Sequence, residues 1–470
     1  MHIESPPVSF EPRLEPPEDF STLEEQLWPG GTRRDSRGEL TLAGHQVSDL
    51  VAQYGTPLYV IDEADFRRRA RSFTEHFPGW SIHYAGKSFL CRTVARWINE
   101  EGLCLDVCSG NELAVALSVG FPPERISLHG NNKTSEELRY GVKAGVGCIV
   151  VDSFDEIDRL RVISDDLGRP VPVMVRVTTG IHAETHQYVA TSHEDQKFGL
   201  SIQSGQALKA LLICHDQPQF DLLGIHSHIG SQILEVEGFA RAAQITLSLV
   251  SQFQDATNDS IQEVNLGGGF GIAYVGSDEP WEMERLSDVL IRDVEKGCHY
   301  YDIPETKFAI EPGRAISGPP GVALYTVGTI KDVDIGEGFS RRYVSVDGGM
   351  SDNIRTALYD ADYTATLANR TSVATPTLSR VVGIHCETGD VLVKDVYLPD
   401  DLALGDILAI PASGAYSRAM ASNYNYALKP AVVGVVEGDT QVMLRRETLD
   451  DLLRLDQGEI GVGFEVEREV

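Results

Sequence analysis

The sequence predicts an α/β protein, a (β/α)8 TIM-type barrel followed by an all-β domain of sandwich-like or barrel-like form. Three observations predict it. From about residue 80, short apolar runs alternate with helix-patterned runs, which implies a parallel sheet. The alternation repeats through eight strand–helix units, which favours closure over an open sheet. After about residue 320 the helical pattern gives way to Val/Ile/Tyr-rich segments broken by Gly, Pro and Asp, which read as antiparallel strands.

The barrel elements follow in order. SIHY precedes the helical run RTVARWINEEG, and CLDVCS precedes NELAVALSVG. RISLHG precedes TSEELRYGVKAG, with Thr134 or Ser135 as the helix N-cap. CIVVDS precedes FDEIDRLRVISDDLG, and the strands VPVMVRV, LLGIHSHIG, QEVNLGGG and KFAIEPGR complete the set. The first four strands recur at a step of 22, so that Tyr84, Asp106, Leu128 and Val150 read as equivalent. The barrel spans residues 63–320 and the β domain residues 321–470. Residues 31–62 contain ELTLAG and TPLYVID, and the first of these is expected to pair with the β domain. Residues 1–30 begin rich in Pro and Glu and are expected to be a disordered extension.

Composition narrows the function. A chain of 470 residues exceeds one ordinary domain, and 42% hydrophobic content fills large cores. A formal charge of −30, spread along the chain, argues against nucleic acid and anionic membrane surfaces as partners. No apolar run reaches the roughly 18 residues of a membrane span, and the start shows no basic-then-apolar signal pattern. The seven cysteines form no CxxC pair and no zinc-type cluster, which fits a reducing, cytoplasmic setting.

Polar residues of interest fall at successive strand ends: Lys87, Asp106, His129, Asp152, Arg176, His228, Gly267, Gly268, Gly269, Glu311 and Arg314. A barrel opens all those ends on one face, so they describe one site. A lysine just past a buried strand loses water, which lowers its pKa and makes the amine a nucleophile, although most lysines at such positions are simply solvated. Three consecutive glycines let backbone N–H groups approach a phosphate, or else make a tight turn. The run is contiguous, unlike the spaced glycines of a dinucleotide loop. His226 and His228 share one strand face, but no third ligand stands at helix or strand spacing, so no metal is expected. The remaining readings of His228 are a hydrogen-bonded core residue or an imidazole against a ligand ring, with Ser231 reaching that ligand's phosphate. Glu311-Pro-Gly313-Arg314 turns the chain at the last strand; it is either a surface ion pair or a carboxylate that keeps a pyridine nitrogen protonated, with Arg314 pairing an anion. Together these parts suit a phosphorylated aromatic aldehyde bonded through an imine.

The motifs YAGKSF, DVCSGNEL, HGNNKT, HSHIGSQI, NLGGGFG, EPGRAI, DGGMSDNIRTALYDA, CETGDVL and GAYSRAMASNYN, in this order, resemble the diaminopimelate decarboxylase family of pyridoxal-phosphate enzymes with an alanine-racemase-type barrel. The resemblance runs from about Gly55 to Tyr426. It implies pyridoxal 5'-phosphate as cofactor, Lys87 as the Schiff-base lysine and His228 as the ring-stacking residue. It further implies a phosphate cradle of Ser231, Gly267, Gly268 and Gly269, with Glu311 at the pyridinium nitrogen and Asp106, Gly313, Arg314 and Tyr416 as further cofactor contacts. Arg314, Arg355, Tyr359, Glu387 and Tyr416 match substrate contacts. The family's sites form between two subunits, which implies a homodimer whose partner chain supplies Cys386 and Glu387, with Cys386 as the candidate proton donor. Ser88-Phe89 departs from the family's usual Ala-Asn, and residues 180–199 resemble its mobile loop. The implied reaction is decarboxylation of meso-2,6-diaminopimelate to L-lysine, the last step of lysine biosynthesis. The alternatives are a related ornithine, arginine or carboxynorspermidine decarboxylase, a racemase of the same fold, and a binding protein that has lost the chemistry.

Overall fold

The computed structural model describes residues 14–181, 197–303, 306–336 and 339–458. Three short strands, β1 (Arg33–Arg34), β2 (Leu40–Leu42) and β3 (His45–Gln46), form a small antiparallel sheet of their own. The segment ELTLAG was expected to pair with the β domain, but β2 lies at the centre of this meander. Among the described residues one backbone bond, Leu40 N–H to the Ala368 carbonyl at 2.7 Å, ties it to that domain. Its apolar face explains the difference: Leu40 and Leu42 cap the face of the larger sheet, packing with Val322 and Val433, and leave its edges to other strands. Leu27 and Trp28 are buried in the same cluster. Residues 14–30 are therefore packed against the fold at their end, against the expectation of disorder; residues 1–13 lie outside the described residues.

Helix α1 (Val47–Tyr54) leads into strand β4 (Leu58–Asp62) and helix α2 (Glu63–His76). The barrel then runs β5 (Ser81–Ala85), α3 (Arg92–Glu100), β6 (Cys104–Val107), α4 (Gly110–Leu117), β7 (Ile126–Leu128), α5 (Ser135–Ala144), β8 (Cys148–Val151) and α6 (Phe154–Leu167). It continues β9 (Val171–Thr178), a short β10 (Leu200–Ser201), α7 (Gln206–Asp216), β11 (Phe220–Ser227), α8 (Val236–Thr257), β12 (Glu263–Asn265), α9 (Met283–Tyr300) and β13 (Lys307–Ile310). All pairings are parallel, and β13–β5 and β8–β9 close the ring, with β10 added beside β9. The helices start where serine and threonine take up free N–H groups: Ser109, Thr134 and Ser153 each accept from the residue three positions on, and Thr134 makes a full capping box with Glu137.

The step of 22 needs correcting. Ala85 pairs with Asp106, Asp106 with Ser127, and Ser127 with Cys148, so lateral neighbours recur every 21 residues. One residue of slip reverses the face. Tyr84 and Leu128 lie in the large core with Phe66, Trp97 and Leu138, whereas Val150 packs with Cys148 and Met174 in a separate cluster and Asp106 meets His83. The strand ends still converge as expected, because the barrel is closed.

After α10 (Arg314–Ser317), the second sheet uses β14 (Gly321–Gly336), β15 (Phe339–Val346), β16 (Thr366–Leu367), β17 (Pro376–Val382), β18 (Val391–Pro399), β19 (Ile407–Ile410), β20 (Ala431–Val436) and β21 (Asp439–Leu444), with α11 (Arg355–Tyr359) between β15 and β16. Its order is β18-β17-β15-β14-β4-β20-β21, with β19 also on β14 and β16 on β19. It is a mixed sheet, not the antiparallel one expected: β15–β17 and β4–β20 are parallel, because their strands come from segments too far apart to form hairpins. TPLYVID supplies β4 at the centre. Among the described residues no helix is long and apolar enough to cross a membrane.

Candidate active site

Lys87 sits in a single 3-10 turn, Gly86–Ser88, directly after β5. The turn is fixed from below by Ser88. Its hydroxyl donates to the Ala85 carbonyl at 2.9 Å, lies 3.1 Å from the Tyr84 hydroxyl, and accepts from Ser317 at 3.0 Å. Its carbonyl accepts from the Tyr416 N–H at 2.8 Å. The departure to Ser88-Phe89 is thus absorbed into a buried hydroxyl network, while the Lys87 side chain stays open to the cavity. The expectation of a lowered lysine pKa is corrected. Burial does disfavour the ammonium, but Tyr416, Cys108 and Glu311 outweigh it and raise the pKa above its ordinary value.

Glu311 follows β13 and is buried. One carboxylate oxygen accepts from Asn265 Nδ2 at 2.8 Å and lies 3.0 Å from His226 Nε2 and 3.4 Å from His129 Nε2. Burial alone would protonate this carboxyl; the imidazoles of His226, His129 and His83 hold it well below the usual carboxylate range. Behind it, Asp106 lies 3.1 Å from His83 Nδ1 and 3.5 Å from His129 Nε2. Burial opposes a charged His83, yet Asp106 raises its pKa to about 10. The ligand-type atoms of His129, His226 and Glu311 lie within 4.8 Å of one another. Strand spacing hid this grouping because its members come from three strands.

A narrow cavity of about 40 Å³ opens above this layer. Its wall includes Lys87, His228, Ser231, Gly268, Gly269, Glu311, Gly313, Arg314 and Tyr416. Gly267 has φ +72°, and a Cβ on Gly268 would stand 2.1 Å from the Glu311 carbonyl oxygen. The glycines therefore let the chain after β12 run close under its neighbours, where Gly267 N–H donates to Asn265 Oδ1 at 2.8 Å. Gly268 N–H donates to His228 Nδ1 at 3.2 Å. Burial, then Lys87 and Arg176, push His228 well below its ordinary pKa, so its ring is neutral. Arg314 donates from Nη2 to Ser231 Oγ at 2.7 Å and lies 4.7 Å over the Tyr416 ring. Arg355 is buried 4.5 Å over the Tyr274 ring and donates to the Tyr363 hydroxyl.

Some residues stand apart from the wall. Asp106, expected to contact cofactor, lies outside the wall and faces His83 and His129. Gly267 supports the wall from behind, and half-buried Tyr359 ends α11. Cys386 and Glu387 are exposed on the β17–β18 loop, where Glu387 accepts from the Tyr424 hydroxyl. Within the 180–199 loop, residues 182–196 lie outside the described residues. Sequence reasoning passed over His83, Asn265, Tyr274 and Tyr363. Asn265 carried a signal, standing inside NLGGG two residues before the first glycine; the two tyrosines carried none beyond their neighbourhood in NLGGGFGIAY and TALYDADY.

The mouth of the barrel thus joins a lysine, a neutral histidine, a glycine turn and a buried carboxylate. Residues 63–318 match the family model described as pyridoxal-dependent decarboxylase, pyridoxal binding domain. The diaminopimelate decarboxylase of Mycobacterium leprae is 50% identical over 449 residues, covering 94% of this chain and 95% of that one. That of Mycobacterium bovis is 51% identical over 439 residues, covering 92% and 98%. The crystal structure of diaminopimelate decarboxylase from M. jannaschii in complex with L-lysine superimposes with a TM-score of 0.84 at 28% identity, covering 91% of this chain and 98% of that one. The chain belongs to the diaminopimelate decarboxylase family, and its barrel is a pyridoxal phosphate-binding domain.

Proposed function

We propose that this protein decarboxylates meso-2,6-diaminopimelate to L-lysine and carbon dioxide, the closing step of lysine biosynthesis. One observation carries the choice of substrate. Two buried arginines, Arg314 in the wall of the lysine-bearing cavity and Arg355, lie against the same Tyr274 ring, and neither has an acidic partner among the described residues. Buried charge is costly without a counter-charge. A substrate with a second, distal carboxylate supplies one; ornithine and arginine do not.

Pyridoxal phosphate, when bound, supplies a protonated ring that draws electrons from the carbon bearing the amine. Lys87 is the amine that anchors it. Ser231 and the turn of Gly268 and Gly269 line the place its phosphate would take, with Gly267 supporting them from behind and Gly313 leaving room beside Ala85. Glu311, already ionised, holds the proton at the ring nitrogen. His228, kept neutral, walls the ring without adding charge. Tyr416 holds the Lys87 turn through its backbone and Arg314 through its ring. Tyr359 lies on the helix that Arg355 begins.

Cys386 and Glu387 act in this proposal from the partner subunit of a homodimer, Glu387 on the distal ammonium and Cys386 as proton donor. Their exposure, next to exposed Ile384 and Tyr426, supports such an interface. A reducing cytoplasm suits seven cysteines that are all free. The test is to load the protein with pyridoxal phosphate and supply meso-diaminopimelate, ornithine and arginine separately. Carbon dioxide and L-lysine from the first alone support the reading; equal or faster release from ornithine or arginine overturns it.

A further inference from the structure

Arg314 and Arg355 share more than a lack of acidic partners. Arg314 Cζ lies 5.7 Å from the Tyr274 ring centroid and Arg355 Cζ lies 4.5 Å from the same ring. Arg314 Nη1 donates to the Tyr274 hydroxyl, and Arg355 Nη1 to the Tyr363 hydroxyl. Tyr363 stands edge-on to Tyr274, with ring centroids 5.1 Å apart and planes at 72°. All four side chains are at least nine-tenths buried, and the Nε of each arginine has no hydrogen-bond partner among the described residues. Two like charges are therefore held out of water against one aromatic ring and two phenol oxygens. Aromatic faces attract cations, and more strongly when desolvated.

Tyr274 is itself held firmly. Its N–H and that of Val275 donate to Asp278 Oδ2 at 2.8 and 3.1 Å. Two residues earlier, Ile272 is clasped by Gln232, which donates to its carbonyl at 2.6 Å and accepts from its N–H at 3.2 Å. Gln232 follows Ser231 directly, and the segment leading from β12 to Tyr274 begins with the glycine cradle. The ring is thus fixed relative to the wall of the cavity.

We infer that Tyr274 is a positioning residue that seats Arg314 and Arg355 against one ring, sets the spacing of their charges, and so makes the site select amino acids with a distal carboxylate. The inference rests on the substrate reading above. It assigns Tyr274 no contact with the reacting atoms.

The experiment compares the cofactor-loaded wild type with Tyr274→Phe and Tyr274→Leu. Steady-state kinetics with meso-diaminopimelate are measured, together with binding of pimelate (two carboxylates, no amine) and of cadaverine (two amines, no carboxylate) followed by cofactor absorbance. Tyr274→Leu removes the ring, and the loss of two partly desolvated cation–π contacts corresponds to about a tenfold rise in KM with a smaller change in kcat. Pimelate binding should weaken in parallel while cadaverine binding stays unchanged. Tyr274→Phe keeps the ring and should fall between, which preserves the test if the leucine variant misfolds. An unchanged KM and pimelate affinity in both variants, or equal weakening of pimelate and cadaverine, would overturn the role. If wild-type protein fails to turn over meso-diaminopimelate, the substrate reading falls separately, and the pimelate-to-cadaverine contrast still decides the role of Tyr274.

Discussion

Glu311 is a carboxylate with almost no access to water, yet it is ionised. Three imidazoles and the Asn265 amide replace its hydration. Glu311→Gln keeps the shape and removes the charge, and should slow decarboxylation by about 3 kcal/mol or more while leaving cofactor bound, by analogy with other preorganised electrostatic groups. Stopped-flow turnover at saturating substrate checks this. His83 adds a pH signature. Its folded pKa of about 10 lies above the ordinary 6.5, so its ion pair with Asp106 stabilises the fold fully below about pH 6.5. That contribution is lost as pH rises toward 10, and for a buried group it amounts to a few kcal/mol, to order of magnitude. Urea midpoints of the wild type should therefore fall between pH 7 and 10, and those of His83→Gln should be lower but flatter; equal slopes would remove His83 as the cause. The placement of Lys87 and Glu311 in one cavity was legible from their motifs, because each stands at the end of a barrel strand. The direction of the Lys87 pKa was not, because it depends on Tyr416 and Cys108, which reach the cavity from other elements.

Between strands, the barrel places a second buried charge pair that the sequence did not advertise. Lys133, in HGNNKT, lies 2.8 Å from Glu156, with both side chains 2% exposed, and also donates to the carbonyls of Gly130 and Val150. It links the β7–α5 loop to α6. Lys133→Met should cost about 3–5 kcal/mol, because it strands Glu156 in the interior. Lys133→Met with Glu156→Met should recover much of that loss, and denaturant melts of the single and double variants measure the difference. Element order and identity could be read from the alternation of apolar and helical patterns. Register could not. A step of 22 and a step of 21 give the same hydrophobic texture, and only the lateral hydrogen bonds reveal that Tyr84 and Asp106 face opposite ways. Likewise ELTLAG and TPLYVID look alike as strands, and only packing separates a capping meander from a central strand.

At the scale of the molecule, β4 closes the β domain around a strand that precedes the whole barrel, so the two ends of the chain fold together. The site draws Lys87 and Glu311 from the barrel, and Arg355 and Tyr416 from the segments threaded through the β domain. The motif order made this legible in outline; the mixed sheet was hidden because parallel pairing over long separations leaves no local turn signal. Cys386 and Glu387 remain outside the cavity of their own chain, and this yields a quantitative expectation for the proposed dimer. Lys87→Ala and Glu387→Ala homodimers should each lack an intact site. Exchange of subunits in equal amounts makes half the dimers mixed, each with one good site of two, so activity should return to about a quarter of wild type. No recovery with mixed dimers present would place Glu387 outside a shared site. The central claim, that this barrel mouth takes pyridoxal phosphate on Lys87, is tested most directly by borohydride reduction of the cofactor-loaded protein followed by peptide mass mapping. The pyridoxyl mass should appear on the peptide containing Lys87 and vanish in Lys87→Ala; the mass on another lysine, or on none, would contradict it.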